Sequence, residues 1–227
     1  MTEFVGFQKI ARLSRNCVIT EKIDGTNACV FIGEDGEFLT GSRSRWITPE
    51  DDNYGFARWA EAHKDELLTL GPGRHFGEWW GSGCQRGYGL VKGEKRFSLF
   101  NTSRWNDRNP PPSCCYIVPV LYNGIFTSTA VDDALTLLRE HGSVAAPGFM
   151  RPEGVVIYQT AARCYFKKTI ENDEGKLQTL LNNQKRSNME YNATPSIARE
   201  SVDSTALFGT SLADCNGIEE QSPLIKL

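Results

Sequence analysis

The sequence predicts a single domain that mixes many short strands with a few helices, and three observations predict it. At 227 residues, 40% of them hydrophobic and 11% aromatic, the chain has the length and apolar content for one substantial core. Short apolar or β-branched runs recur between turn residues, beginning with Val18-Ile19-Thr20 and Ala28 to Ile32. Two other segments carry apolar residues at helical spacing, Phe56 to Leu67 and Val131 to Leu138.

Taken in order, Phe4 to Arg15 reads as a lead-in peptide. Glu34-Asp35-Gly36-Glu37 is a hairpin signal between Ile32 and Phe38, so Lys22 is expected at a strand end on a meander. Phe38 to Thr40 is the next strand, followed by the charged stretch Gly41 to Trp46. Phe56, Trp59, Ala60, His63 and Leu67 form one helix face, ended by Gly71-Pro72-Gly73; His63 and the aromatic pair are read as packed residues. Arg74 to Gly81 is a strand with one glutamate among aromatics, and the glycine-rich 81–89 is expected to be a flexible loop near the site and in reach of RNA. It lacks the Gly-Lys-Ser/Thr that completes a phosphate-binding P-loop. Arg96 to Thr102 is a strand whose alternation sends Phe97, Leu99 and Asn101 to one face and Ser98 and Phe100 to the other.

Asn109 to Ser113 breaks the pattern as an exposed loop. Cys115 to Tyr122 reads as one strand, and Ser128 or Thr129 caps a helix that ends at Gly142. Val155 to Tyr158 and Cys164 to Thr169 follow as strands. A short helix is expected through Leu177 to Leu181, which sets a folded domain at 1–180. The remaining 181–227 is rich in Asn, Ser, Thr and Glu and reads as a polar tail, disordered or with a docking helix around Ser196 to Val202.

Composition narrows the partners. A net charge of -3 provides no global field for nucleic acid, so such contact falls to local patches at Arg43/Arg45, Lys92/Lys95/Arg96 and Lys167/Lys168. Seven scattered cysteines without a C-x-x-C pair fit a reducing, cytoplasmic compartment and argue against a zinc site or a disulfide scaffold. Adjacent Cys114 and Cys115 are read as ordinary strand-edge residues. The chain opens without a signal-peptide pattern and has no apolar run of about eighteen residues, so no membrane is expected.

The stretch around which the chain is organised is Thr20-Glu21-Lys22-Ile23-Asp24-Gly25-Thr26-Asn27. It places a lysine between two carboxylates at a strand end, followed by a glycine turn. Such a lysine acts as a nucleophile when its amine is neutral, although the free side chain titrates near roughly 10.4. Burial and nearby cations lower that value, which directs attention to cationic residues further along.

Glu-Lys-Ile-Asp-Gly-Thr-Asn resembles the Lys-x-Asp-Gly nucleotidyl-transfer motif of covalent polynucleotide ligases and capping enzymes. With Asn27 where those enzymes more often have Arg, it is similar to the RNA ligase 2 group. Further landmarks follow in family order from residue 5 to 175. Arg43 matches the arginine beside the nucleotide, with Arg45 as the alternative, and an Arg fork suits phosphate. Glu78 matches the glutamate that binds the nucleoside sugar, whose vicinal hydroxyls are donors to a carboxylate. Phe100 matches the aromatic residue stacked on the purine, with a core phenylalanine as the alternative, and Asn101 departs from the usual Asp. Glu153 in Glu-Gly-Val-Val-Ile matches the glutamate that helps hold the catalytic metal, for which oxygen ligands suit Mg²⁺ or Mn²⁺. The fifth motif departs from Lys-x-Lys: Lys167 and Lys168 are adjacent and must face opposite ways, so one of them meets the α-phosphate. Lys167 is the choice and Lys168 the alternative.

The resemblance implies an α+β nucleotidyltransferase fold, two antiparallel sheets flanked by helices with the nucleotide between them. It also implies an ATP-dependent RNA ligase, the chemistry of RNA repair. Lys22 takes AMP from ATP, AMP passes to an RNA 5′-phosphate, and a 3′-hydroxyl displaces it. Glu21 helps read the adenine, and Asp24 and Asn27 act near the phosphate, nucleotide or RNA end. The short stretch ahead of Lys22 favours ATP over NAD. The lack of room for an auxiliary domain leaves RNA selection to the catalytic domain or an accessory protein. Two rivals stand beside this reading, a GTP-using capping-type enzyme and a non-catalytic nucleotide- or RNA-binding module.

Overall fold

The computed structural model describes residues 2–171. The expected boundary at residue 180, the helix at Leu177 to Leu181 and the tail 181–227 lie outside the described residues. The fold is α+β, as the sequence implied, but the chain does not run as a meander. β1 (Asn16–Lys22) lies in a four-stranded sheet with β8 (Val120–Ile125), β9 (Gly154–Gln159) and β10 (Cys164–Thr169), in the order β10-β9-β1-β8. β2 (Thr26–Ile32) belongs to a second sheet with β3 (Phe38–Gly41), β4 (Trp46–Ile47), β5 (Gly73–Gly81), β6 (Lys95–Leu99) and β7 (Cys115–Ile117). Its order is β4-β3-β2-β5-β6-β7. All pairs are antiparallel except β6 with β7.

The chain therefore changes sheets immediately after Lys22. It changes again between β7 and β8, so the expected single strand from Cys115 to Tyr122 is two. Proline has no N–H for a ladder, and Val118-Pro119 is where the pairing breaks. The Pro119 carbonyl instead accepts from the Glu21 amide at 2.9 Å. Both crossings pass through one small apolar cluster, Ile23, Trp80, Tyr88, Val118 and Ala146.

Each sheet has one covered face. Ala28, Val30, Ile32, Trp79, Phe97 and Leu99 pack on α1 (Phe56–Ala62) and α2 (Lys64–Leu68), through Phe56, Ala57, Ala60 and Leu67. These two helices were expected as one. The break falls at His63, whose Nδ1 lies 2.8 Å from the Trp59 carbonyl and whose ring stacks on Trp59, giving that carbonyl a side-chain partner where the helix would run on. On the other sheet, Cys17, Ile19, Val155 and Ile157 pack on Ala130, Val131, Ala134, Leu135 and Leu138 of α3 (Ser128–His141). Its N-cap is Thr127, one residue before the expected Ser128 or Thr129, because the Thr127 hydroxyl is the one that accepts from the Ala130 amide, at 3.0 Å. Gly142 ends it as expected.

Gly25 marks the first crossing. A Cβ there would stand 2.4 Å from the Trp79 carbonyl oxygen and 2.7 Å from the Trp80 Cβ, so the backbone passes where only glycine fits. Gly25→Ala is expected to cost about 1–3 kcal/mol by overpacking, read as a lowered midpoint in denaturant unfolding. An unchanged midpoint would show that the crossing relaxes freely.

Candidate functional site

The site forms where the first crossing leaves the four-stranded sheet. Lys22 is the last residue of β1 and pairs with Gly154, which brings the preceding Glu153 beside it. Lys22 Nζ lies 2.6 Å from Glu153 Oε2, both side chains partly exposed. Gly154 also pairs with Thr169, and a Cβ on it would meet the Lys168 carbonyl at 2.2 Å; glycine lets three strands close tightly at the lysine.

The six-stranded sheet supplies the opposite side. Glu78 faces Asn27 across the β2–β5 pair, accepts from Asn27 Nδ2 at 2.8 Å and from the Gly25 amide at 3.0 Å. It is 7% exposed, so it is not the solvated glutamate that an isolated strand would carry. Burial pushes its carboxyl up to about 7, against the partial opposing effects of Asn27, Lys22 and the Gly25 amide. Asp24 completes the turn: its amide donates to the Tyr88 hydroxyl at 2.8 Å and its Oδ2 accepts from Arg86 Nε at 2.9 Å. Arg86 also donates to the Arg151 carbonyl at 3.0 Å, just ahead of Glu153.

The structure thus gathers Lys22, Asp24, Asn27, Glu78 and Glu153. Register separates the two lysines of β10. Lys167 opposes Val156, which opposes Thr20, so Lys167 shares a sheet face with Thr20 and Lys22. Lys168 lies on the α3 face and bonds Asp132 Oδ1 at 3.3 Å. Arg43 is exposed on the β3–β4 loop and has no hydrogen-bond or ion-pair partner among the described residues, whereas Arg45 is forked onto Asp51 at 2.5 and 3.0 Å. Phe100 follows β6, its amide on the Phe76 carbonyl, and its ring is 37% exposed on the Glu78 side of the sheet.

Glu21 is not part of this gathering. Strand alternation turns it to the α3 face, where it is 1% exposed and accepts from the Ser143 hydroxyl at 2.6 Å and the Val144 and Ala145 amides at 2.9 Å each. Its side chain ties β1 to the loop after α3, and burial still holds its carboxyl above the ordinary value. The glycine-rich segment lies near the site, as expected, but it is packed in place. Cys84 and Tyr88 are buried, and Arg86 and Tyr88 clamp Asp24. A single arginine and tyrosine among glycines carry no sequence signal for that task. Of the basic patch at 92–96, Lys95 bonds the Tyr54 carbonyl and Arg96 bonds Glu94, which leaves Lys92 exposed.

Among the described residues no group of three or more His, Cys, Asp or Glu is placed to hold a metal, and no helix is long and apolar enough to cross a membrane. The six described cysteines are unbridged; the Sγ atoms of Cys114 and Cys115 are 3.8 Å apart.

Two outcomes follow from these buried carboxylates. Glu21→Ala leaves three donors unsatisfied and is expected to cost about 2–4 kcal/mol in urea unfolding. Glu78 binds its proton more tightly folded than unfolded, since its value moves from 4.5 to about 7. Its contribution is therefore present in full below pH 4.5, falls as pH rises to about 7 and is level above. The loss across that window is up to about 3 kcal/mol. Glu78→Gln should flatten it, seen by comparing unfolding curves from pH 5 to 8; an unchanged slope would mean that Glu78 does not carry it.

No curated protein matches the chain. Solved structures of the Naegleria gruberi RNA ligase do match. An apo mutant has a TM-score of 0.50 at 20% identity, over 69% of this chain and 50% of that one. A mutant with ATP and Mn has 0.50 at 19%, over 72% and 52%. The ligase with PPi has 0.50 at 16%, over 79% and 60%. At these identities the likeness is one of fold, and the chain spans about half the length of the first of these structures. The sequence match is a family model described as RNA ligase, which runs from residue 15 to 172 and takes in every residue of the site above; the chain belongs to the RNA ligase family.

Proposed function

We propose that this chain is an ATP-dependent RNA ligase of the RNA ligase 2-like group, working through a lysyl-AMP intermediate. The observation that carries the proposal is the meeting of Lys22 and Glu153 at 2.6 Å with Glu78 reaching across from the other sheet to Gly25 and Asn27. A nucleophile, a carboxylate beside it and a sugar-binding acceptor stand at one junction between two open sheet faces. The N. gruberi ligase structures that share the fold include forms with ATP and Mn and with PPi, which supports the same choice of nucleotide here.

In this reading Lys22 Nζ, after losing a proton, forms a bond to the α-phosphorus of ATP and pyrophosphate leaves. The AMP moves to an RNA 5′-phosphate, and an RNA 3′-hydroxyl then attacks that phosphate and releases AMP. Lys167 lies on the Lys22 face to meet the α-phosphate, Arg43 offers a guanidinium unpaired among the described residues, Glu78 accepts from the ribose and Phe100 stacks on the base. Such positioning and charge neutralisation are most of what an in-line displacement requires. Glu153 is the one carboxylate directly at Lys22, which fits a hard cation bound mainly through substrate phosphates and water rather than by a protein cage. A bound Mg²⁺ or Mn²⁺ would neutralise phosphate charge. Asp24, held by Arg86 and Tyr88, shapes the turn that carries Gly25 to Glu78. Glu21 contributes to the nucleotide site through the strand it anchors, since its carboxylate is fully engaged elsewhere.

The test is incubation with α-phosphate-labelled ATP and Mg²⁺ or Mn²⁺, followed by a denaturing gel, using protein first stripped of any AMP. Wild type should carry label and Lys22→Ala none. Lys167→Ala should lose roughly tenfold or more, as a lost transition-state cation does, and Lys168→Ala less than about twofold. Label surviving in Lys22→Ala, or absent from wild type, would overturn the proposal; preferential labelling by GTP would favour a capping-type enzyme.

A further inference from the structure

Cys114 and Cys115 stand where the loop after residue 109 enters β7. Their Sγ atoms are 3.8 Å apart and share a hydrogen bond. Cys115 is 7% exposed and packs in the core of the six-stranded sheet, its backbone opposite Phe97 and its amide on the Pro112 carbonyl at 2.9 Å. Cys114 is partly exposed, and the preceding Ser113 hydroxyl donates to Glu66 Oε2 at 2.6 Å, which holds the turn against α2. One thiol is thus within reach of solvent and the other stands directly behind it.

The pair differs from the other described cysteines. Cys17, Cys29 and Cys84 are buried, and burial raises each thiol above its ordinary value, to about 11 for Cys29 and Cys84. Cys164 donates to the Ala162 carbonyl. The Cys114 thiol is instead lowered, because the Cys115 S–H donates to it, against burial and the Glu66 charge. That same bond, with burial, raises the Cys115 thiol. A thiolate is the form of sulfur that oxidants meet, and a second thiol in contact with it is a ready resolving partner.

We propose that Cys114 and Cys115 are a peroxide-sensitive modification site, closing to a vicinal disulfide at the head of β7. The Cys114 thiolate attacks one peroxide oxygen, the O–O bond breaks and hydroxide leaves, giving a sulfenic acid; the hydroxide takes up the proton that Cys114 gave up. The Cys115 sulfur then attacks the Cys114 sulfur, and its proton leaves with the hydroxyl as water. Two thiols are oxidised to one S–S bond and one peroxide is reduced to two waters. Adjacent Cα atoms are about 3.8 Å apart across a trans peptide, closer than the roughly 4.4 Å at which ordinary bridges begin. The ring closes no loop whose lost entropy would stabilise the fold, and it draws the Cys114–Cys115 peptide away from the Pro112 carbonyl. The bridged form is therefore strained, less stable, and reopened by a thiol such as glutathione.

The test treats the whole chain with hydrogen peroxide, alkylates it and maps its cysteine-containing peptides by mass. In wild type the peptide with both cysteines should become about 2 Da lighter and resist alkylation until dithiothreitol is added. Cys115→Ala should instead stop at a Cys114 sulfenic acid, about 16 Da heavier and captured by dimedone. Peroxide should lower the wild-type thermal midpoint by about 4 °C or more, reversibly, a shift absent from Cys114→Ser. Both thiols open to alkylation after other cysteines have oxidised, a bridge from either one to another cysteine, or an equal midpoint shift in Cys114→Ser would each overturn the proposal. None of these outcomes depends on lysyl-AMP formation.

Discussion

The arrangement depends on a chain that crosses between two sheets under a steric constraint, at Ile23 to Gly25. Gly25 passes against the Trp79 carbonyl and the Trp80 side chain, and its amide donates to Glu78. Without that close approach, β1 and β2 would not start and finish at the same junction. The last residue of β1, Lys22, and the buried carboxylate of the other sheet, Glu78, come to the same junction because the connection from Lys22 to Thr26 is short. The second crossing at Val118-Pro119 returns the chain through the same apolar cluster, so both connections share one small core.

The ion pairs at the junction add little to stability. The Lys22–Glu153 and Asp24–Arg86 pairs are partly exposed, and pairs of that kind contribute about 1 kcal/mol or less. Glu78 goes further, because burial makes its ionised form costly near neutral pH. A strand position that opposed Asn27 with an apolar residue would pack as well and would not strain the proton equilibrium. The Glu78 carboxylate accepts from the Gly25 amide and the Asn27 side chain, so its geometry is fixed relative to the lysine motif.

The cations divide in a similar way. Arg45, Lys95, Arg96, Lys168 and Arg86 have carboxylate or carbonyl partners and hold loops and strands in place. Arg43, on the β3–β4 loop, and Lys167, on the Lys22 face of β10, have none among the described residues. In a chain of net charge -3, attraction for phosphate is thus local.

The sequence by itself determined the local elements and the chemical types at the site. β-branched runs, the Asp35-Gly36 turn, Gly142 after α3, the Lys-x-Asp-Gly stretch and the glutamate before β9 all read from neighbours within a few residues. Tertiary structure decided what those residues face. It put β1 and β2 in different sheets, cut the run from Cys115 to Tyr122 between two sheets, and turned Glu21 onto the loop after α3. It also turned Lys167 and Lys168 to opposite faces by pairing β10 with β9, and placed Arg86 and Tyr88 of a glycine-rich segment against Asp24. The physical reason is the separation of the partners. Lys22 meets Glu153 across 131 residues and Glu21 meets Ser143 across 122, and no local propensity carries information over such distances. Only the pairing of strands brings them within hydrogen-bond reach.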